Sequence, residues 1–325
     1  MSKRILGIDG GGTKTSFLLA DMETQRVYAH TAKDCCHFHH GIEGFTSRIK
    51  NGIDTVLKEA CIAYGDVMAV CAGLSSFGES KQEDDVICSI MRSFFKTPHI
   101  LVVNDVEVSL AGSLELRPGI TIVAGTGSMA LGKNRFGRTA RSGGWGEIIG
   151  DEGSAYWLGR KALELFSKQA DGRLIKGALY EILSRALGLS DCMDLIEYTY
   201  KSIGNERDRI AALSPLLFEA AQGGDAEALN VFEKAAEELF AMVKAVAERL
   251  SFERDIEVSY SGGVFKAGCF ILDPFISLLS KLNAHLEKPQ LTPISGAALL
   301  AGEMLGEKKA LAKLLHKYEE SKNFR

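Results

Sequence analysis

Ile8-Asp9-Gly10-Gly11-Gly12-Thr13-Lys14-Thr15 lies between two short apolar segments, Ile5-Leu6-Gly7-Ile8 and Phe17-Leu18-Leu19. An apolar run, a glycine turn and a second apolar run predict a β-hairpin. Consecutive glycines let the backbone approach a ligand closely. The N–H groups of Gly11 and Gly12, the hydroxyls of Thr13 and Thr15 and the ammonium of Lys14 form a candidate phosphate cradle. Asp9, at the strand end, is a candidate to hold a hydrated Mg²⁺ against that phosphate. The spacing is not that of G-x-x-x-x-G-K-[ST], and the turn leads into a strand rather than a helix. Taken alone, the pattern also fits an ordinary glycine-rich hairpin.

A second segment repeats the plan. Ile120-Thr121-Ile122-Val123-Ala124-Gly125-Thr126-Gly127-Ser128-Met129-Ala130-Leu131 is again strand, glycine/hydroxyl turn and strand. Two such units predict an internal duplication, with Gly125, Thr126, Gly127 and Ser128 as the second phosphate turn. Two halves facing each other would set the hairpins across one cleft. A third glycine pair, Gly262-Gly263, ends the apolar segment Ile256–Ser261. A backbone turn there suits the flat face of a purine, and equally a plain strand–helix connection.

These three segments resemble the phosphate-1, phosphate-2 and adenosine motifs of the actin, heat-shock chaperone and sugar-kinase superfamily. The run Gly143-Gly144-Trp145-Gly146-Glu147-Ile148-Ile149-Gly150-Asp151-Glu152-Gly153-Ser154-Ala155 resembles the signature of the BadF/BadG/BcrA/BcrD ATPase family, in particular its N-acetylglucosamine kinase branch. The resemblance runs from about residue 4 to about residue 303. It implies an α/β fold, the two-domain actin-like ATPase (ribonuclease H-like) fold with a duplicated core and an interdomain cleft. It also implies ATP and Mg²⁺ as cofactors, a small-molecule sugar as substrate and a homodimer.

Composition agrees with a soluble globular protein. The 325 residues suffice for two domains, and 46% hydrophobic with 25% charged residues is ordinary for a soluble protein. A net charge of −4 without a basic run predicts no nucleic-acid partner. The segment before Asp9 is too short for a signal peptide, and no apolar stretch is long enough to predict a membrane span. Seven scattered cysteines, among them Cys61, Cys71 and Cys88 in apolar segments, predict buried thiols in a reducing cytoplasm rather than a disulfide framework.

Strands are predicted at Arg4–Ile8, Thr15–Leu19, Val27–Thr31, Val67–Cys71 and Ile100–Asn104, and helices at Gly44–Ala63 and Asp84–Phe94. In the first helix Phe45, Ile49, Ile53, Val56, Leu57 and Ala60 share one face. Alternating strands and helices imply a sheet covered by helices. The domain boundary is placed at Arg117-Pro118-Gly119. The expected domains are 1–117, joined by analogy with the superfamily by the final helix 307–325, and 118–306. Ser154 to Leu250 reads as mainly helical. Its longest helix, capped by Asp225, has the apolar stripe Leu229, Phe232, Ala236, Leu239, Val243, Val246 and Leu250. The charged residues of the last helix, Lys308, Lys309, Lys313, Lys317, Glu319 and Glu320, read as a solvated face.

Phosphoryl transfer depends mostly on positioning and charge neutralisation, with one base to orient the attacking hydroxyl. The candidate base is Asp105, which with Asn104 follows the apolar strand Ile100-Leu101-Val102-Val103. A carboxylate at such a strand end faces the ligand crevice of an α/β sheet. Asp105 is also a candidate N-cap for a helix from Val106 to Leu114. The matched Asn104-Asp105 position strengthens the catalytic reading and places Asn104 beside the sugar. The resemblance further implies that Gly144, Trp145 and Asp151 lie at the sugar and that Ser75 reaches its N-acetyl side. Trp145 has a face suited to a pyranose ring, but core packing is the competing reading, and Asp151 is also a candidate helix cap.

One region departs from the family. Cys35-Cys36-His37-Phe38-His39-His40-Gly41 stands where a small residue and Asn are usual, so His37 occupies the expected sugar-binding position. Glucosamine, N-acetylmuramic acid or another hexose therefore stay open beside N-acetylglucosamine. The same cluster allows a metal site, pocket lining or a plain loop. Two other functions compete with an amino-sugar kinase acting at the 6-hydroxyl. One is a BadF/BadG-type ATPase energising electron transfer through an iron–sulfur cluster, for which Cys192 and Cys269 lack the expected glycine-rich context. The other is a regulatory nucleotide-binding module.

Overall fold

The computed structural model describes residues 3–11, 14–33, 41–75, 77–204, 206–252 and 255–323. The chain forms two compact units, Met1–Pro118 with Lys288–Arg325, and Gly119–Glu287. The first begins with β1 (Arg4–Gly10), β2 (Thr15–Asp21), β3 (Arg26–Ala32), α1 (Gly41–Glu59), β4 (Val67–Leu74), α2 (Lys81–Phe94), β5 (Ile100–Asn104) and α3 (Asp105–Ser113). The second contains β6 (Gly119–Ala124), β7 (Ser128–Lys133), β8 (Thr139–Gly143), α4 (Ala155–Ala170), α5 (Ala178–Leu187), α6 (Asp194–Glu197), α7 (Arg207–Ala211), α8 (Ser214–Gln222), α9 (Ala226–Leu250), β9 (Ile256–Ser261), α10 (Cys269–Ser280) and β10 (Ala284–Glu287). The chain then returns to the first unit as α11 (Pro293–Glu303) and α12 (Lys308–Asn323).

The two sheets share one plan. Their orders are β3-β2-β1-β4-β5 and β8-β7-β6-β9-β10. In each, an antiparallel three-stranded meander joins a parallel pair through its first strand. The duplication read from the two glycine hairpins is thus a duplication of whole sheets.

In the first unit, Phe45, Ile49, Ile53 and Val56 of α1 pack with Phe17, Leu6 and Val70 on one side of the sheet. On the other side, Ile5, Leu18 and Cys71 meet Val108 of α3, Ala297 and Ala298 of α11 and Leu311 of α12. In the second unit, the stripe of α9 is buried with Ile120, Ile122 and Val258, and only Leu229 of the predicted set stays partly exposed. Asp225 caps this helix through the N–H groups of Glu227 and Ala228 and also accepts from Leu179.

Pro293–Glu303 was expected in the second domain but packs on α3 and β1 in the first unit. Small residues permit this. A Cβ at Gly296 would stand 2.0 Å from the Val108 carbonyl oxygen, so the helices meet backbone to backbone. Glu319 does not belong to a solvated face. It accepts hydrogen bonds from the Thr292 N–H and hydroxyl and from Ser295, and so caps the start of α11. α2 begins at Lys81, earlier than Asp84, because Ser80 caps it. Of the thiols expected to be buried, Cys71 is, Cys88 is half-buried and Cys61 is exposed. Among the described residues no helix is long and apolar enough to cross a membrane.

Candidate active site

Strand register gathers the first set of residues. Gly10 pairs with Leu74 and Leu74 with Asn104, so the parallel strands β1, β4 and β5 end in one row. Asp9, Ser75 and Asp105 lie at or just beyond that row. The carboxyl ends of parallel strands are where α/β sheets bind ligands. Ser75 is fixed there by its N–H, which donates to the Gly10 carbonyl (3.0 Å).

Both carboxyl groups are electrostatically loaded. Asp9 is raised from 3.8 to about 6, chiefly because protein atoms displace water around it, with the Lys14 charge opposing. Asp105 is raised from 3.8 to about 7, again mainly by desolvation and then by the Asp9 charge, while the backbone N–H of Val106 opposes. Both keep partial solvent access. A carboxyl held near neutrality at a strand end is suited to accept a proton.

Asn104, expected to touch substrate, is instead the N-cap of α3, which displaces Asp105 from that role. Its Oδ1 accepts from the Val106 N–H (3.1 Å), and its Nδ2 donates to the carbonyls of Ser75 (3.3 Å) and Phe77 (2.9 Å). The Asn104 amide is committed to holding the β4 loop beside Asp105 and is left no donor for a sugar. In the glycine hairpin, Gly11 N–H donates to the Lys14 carbonyl (3.1 Å). Lys14 is exposed, whereas Thr15 is completely buried in β2, so its hydroxyl is not presented at the turn. Gly12, Thr13, His37 and the rest of the Cys35–His40 cluster lie outside the described residues.

In the second unit, the β6–β7 turn is tightly knit. Gly125 N–H donates to the Gly127 carbonyl (2.9 Å), and the carbonyls of Gly125 and Thr126 accept from Ala155 and Tyr156 at the start of α4. Ser128 is 3% exposed. Its N–H donates to Asp151 Oδ1 (3.1 Å) and its hydroxyl to the Glu152 carbonyl (2.7 Å), so its donors serve the protein rather than a phosphate. The amides of Thr126 and Gly127 have no intramolecular partner among the described residues and are the turn's open donors.

Asp151 does not cap a helix. Ser154 caps α4, while Asp151 is 1% exposed, sits at φ +60° and binds Ser128 N–H with one oxygen and Arg207 with the other. A carboxylate oxygen accepts more than one hydrogen bond, so Asp151 keeps acceptor capacity while anchored. Arg207 carried no signal in the sequence, being 56 residues from Asp151 and outside every glycine motif.

The loop after β8 carries the other expected sugar contacts. Gly144 N–H donates to the Ser128 carbonyl (2.9 Å), which ties the loop to the hairpin. Trp145 is not core. It is 67% exposed, with the Arg141 guanidinium 5.9 Å from its ring centre, and Ile148 and Ile149 beside it are 88% and 71% exposed. Trp145, Ile148 and Ile149 thus form an apolar platform exposed to water. At the end of β9, Gly262 packs against the Ala124 carbonyl, which joins the third motif to the second hairpin, while Gly263 has open space around it.

Among the described residues no cluster of three His, Cys, Asp or Glu side chains offers an all-protein metal site. Mg²⁺ does not need one, since it is commonly held by one or two carboxylates together with substrate phosphates and water. Asp9 fits that use, because its charge is desolvated and compensated mainly by a single lysine.

Known proteins resemble most of this chain. A model of the BadF/BadG/BcrA/BcrD ATPase family matches residues 6–301. The N-acetylmuramic acid/N-acetylglucosamine kinase of Clostridium acetobutylicum is 35% identical over 292 residues, which cover 86% of this chain and 90% of that protein. The N-acetyl-D-glucosamine kinase of Dictyostelium discoideum is 32% identical over 319 residues, 93% of this chain and 98% of that one. Among solved structures, an N-acetylglucosamine kinase candidate from Chromobacterium violaceum has a TM-score of 0.75 at 23% identity, covering 92% of this chain and 99% of its own. A ROK-family glucokinase from Streptomyces griseus, solved with glucose and AMPPNP, has a TM-score of 0.56 at 19% identity, covering 93% and 99%. The fold is the two-domain α/β arrangement of the actin-like sugar kinases.

Proposed function

The chain belongs to the BadF/BadG/BcrA/BcrD ATPase family, and from that premise we propose that it is an ATP-dependent kinase of an amino sugar. The reaction class follows from sugar-kinase relatives matched along nearly the whole chain. The observation that carries the chemistry is Asp105, a carboxyl at the end of β5 raised to about 7.

In this reading Asp105 accepts the proton of the attacking sugar hydroxyl. That oxygen bonds to the γ-phosphorus as the bond to the β,γ-bridging oxygen breaks and ADP leaves. Resemblance supports the 6-hydroxyl of N-acetylglucosamine as the acceptor. Asn104 holds Asp105 and Ser75 in place, and Ser75 is assigned to the N-acetyl side. Gly144, Trp145 and the anchored Asp151 are assigned to the sugar, with His37 at the position where the family usually has Asn. The triple-glycine turn with Lys14, the amides of Thr126 and Gly127, and Gly262-Gly263 are assigned to the nucleotide. Asp9 would hold Mg²⁺ through water, and the cation would supply charge neutralisation on the phosphates. The same resemblance supports a cytoplasmic homodimer, which sedimentation would test.

The test is ATP consumption by the purified protein with N-acetylglucosamine, glucosamine, N-acetylmuramic acid, N-acetylmannosamine, glucose or no sugar. Strong stimulation by an amino sugar is the expected result and identifies what the His37 region selects. A flat panel with intact nucleotide binding overturns the kinase reading in favour of a regulatory module.

The pH profile follows from the base. Asp105 works only when deprotonated, so burial makes sugar-dependent kcat/KM rise with pH toward about 7 and level off above it. A profile already flat from pH 5 would remove Asp105 from the role. Because Asp9 and Asp105 interact, the midpoint belongs to the pair.

A further inference from the structure

We propose that Arg207 is a positioning residue that ties the Trp145 loop to the second phosphate turn and sets the nucleotide affinity of that turn. The assignment to a kinase site rests on the function proposed above; the geometry does not.

Arg207 begins α7 and reaches three parts of the second unit. Its Nη2 donates to Asp151 Oδ2, and Asp151 Oδ1 accepts from Ser128 N–H. Its guanidinium also lies against the turn itself, since a Cβ at Gly127 would be 2.1 Å from Nη2 and 2.7 Å from Asp151 Oδ1. A side chain at position 127 would thus have to displace the Arg207–Asp151 pair, which fills the space. The third reach is toward Glu147 in the Trp145 loop. Arg207 Nε is buried without a hydrogen-bond partner, 3.6 Å from Glu147 Oε2.

Each link has a physical consequence. Asp151 is 1% exposed, and a buried carboxylate is costly unless it is paired and hydrogen-bonded. Arg207 supplies that pairing. Without Arg207 the carboxylate is driven toward water, Ser128 N–H loses its acceptor, and the turn presenting the Thr126 and Gly127 amides loses its anchor. The guanidinium fork matters beyond its charge, because one planar group aims Nη2 at Asp151 and Nε toward Glu147. The unmet Nε is beyond hydrogen-bond distance of Glu147, and a small inward movement of the Trp145 loop completes the pair. Sugar docking on that loop is thereby coupled to the rigidity of the phosphate turn.

The test compares Arg207→Ala, Arg207→Lys and Glu147→Gln with the wild type, using calorimetric affinity for AMPPNP without sugar, then KM and kcat. Arg207→Lys keeps the charge and loses the fork. It is expected to weaken AMPPNP binding and raise KM for ATP by about tenfold, the scale of one charge-assisted hydrogen bond, with kcat changed by less than about threefold. Arg207→Ala should lose more, and guanidinium ion at millimolar, non-denaturing concentration should restore part of it. Glu147→Gln should raise KM for the sugar while leaving sugar-free AMPPNP affinity unchanged. AMPPNP affinity within about twofold of wild type in Arg207→Lys overturns the proposal, whatever happens to the melting temperature. If Arg207→Ala does not fold, the lysine variant carries the test alone. If no sugar stimulates wild-type ATP consumption, the kinase reading fails while the AMPPNP comparison still decides the role of Arg207.

Discussion

Asp105→Asn is expected to lower sugar-dependent ATP consumption by about 10²–10⁴-fold while leaving nucleotide binding in place. The substitution preserves shape and removes the ionisable carboxyl, and with it the capacity to accept a proton. The Asn104 cap, with its bonds to Val106 and to the carbonyls of Ser75 and Phe77, should survive it. Full activity in the variant would take the base role from Asp105. Joint loss of activity and nucleotide binding would make it a structural residue.

The same variant carries a stability signature. The folded-state value of Asp105 is raised from 3.8 to about 7, so the native protein holds this proton more tightly than the unfolded chain. Its contribution is fully present below about pH 4 and is lost as pH rises toward 7, where ionisation places a second charge near Asp9. Asn has no such loss. Asp105→Asn should therefore be more stable than wild type above pH 7, by about 1–3 kcal/mol after discounting for the partial exposure of the carboxyl, and equal to it near pH 4. Equal stability at pH 8 would show that Asp105 is not strained by burial. A group that gains stability when it is removed and loses activity at the same time behaves as a functional site.

Gly262→Ala has the second largest expected effect. Gly262 sits at φ 108° and ψ 163°, a region that residues with a side chain almost never adopt. An added Cβ would also stand 2.2 Å from the Ala124 carbonyl oxygen and 2.8 Å from Gly125 N. These are backbone atoms at the end of β6, so relief requires moving the second phosphate turn. The expected loss is about 2–4 kcal/mol of stability in a denaturant titration, with AMPPNP affinity falling at least tenfold. Gly263→Ala is the control. Its Cβ would meet nothing within 4 Å, and its cost should stay within about 0.5 kcal/mol. Equal tolerance at both positions would mean that the third motif does not brace the hairpin.

Much of the fold was legible in the chain. Apolar runs of strand length flanking glycine turns announced both hairpins, and a three-and-four spacing announced α1 and α9. These are local signals, set by the two-residue period of strands and the 3.6-residue period of helices. The apolar strand ending in Asn104-Asp105 marked the candidate base for the same reason. The placement of α11 was not legible, because small residues such as Gly296 carry no direction. They allow close approach without naming the partner.

Residue order alone establishes a duplicated strand–turn–strand protein, the residues that cluster at its turns, and a carboxyl directly after β5. Folding set which of those side chains are already engaged by the protein itself. Asn104 became a brace, Ser128 and Thr15 turned inward, and Trp145 was left in water. It also paired Arg207 with Asp151 across 56 residues and lifted Asp105 to about 7. Periodicity and glycine geometry are written in neighbouring residues. Hydrogen-bond occupancy and desolvation depend instead on atoms that only folding brings together, so no reading along the chain contains them.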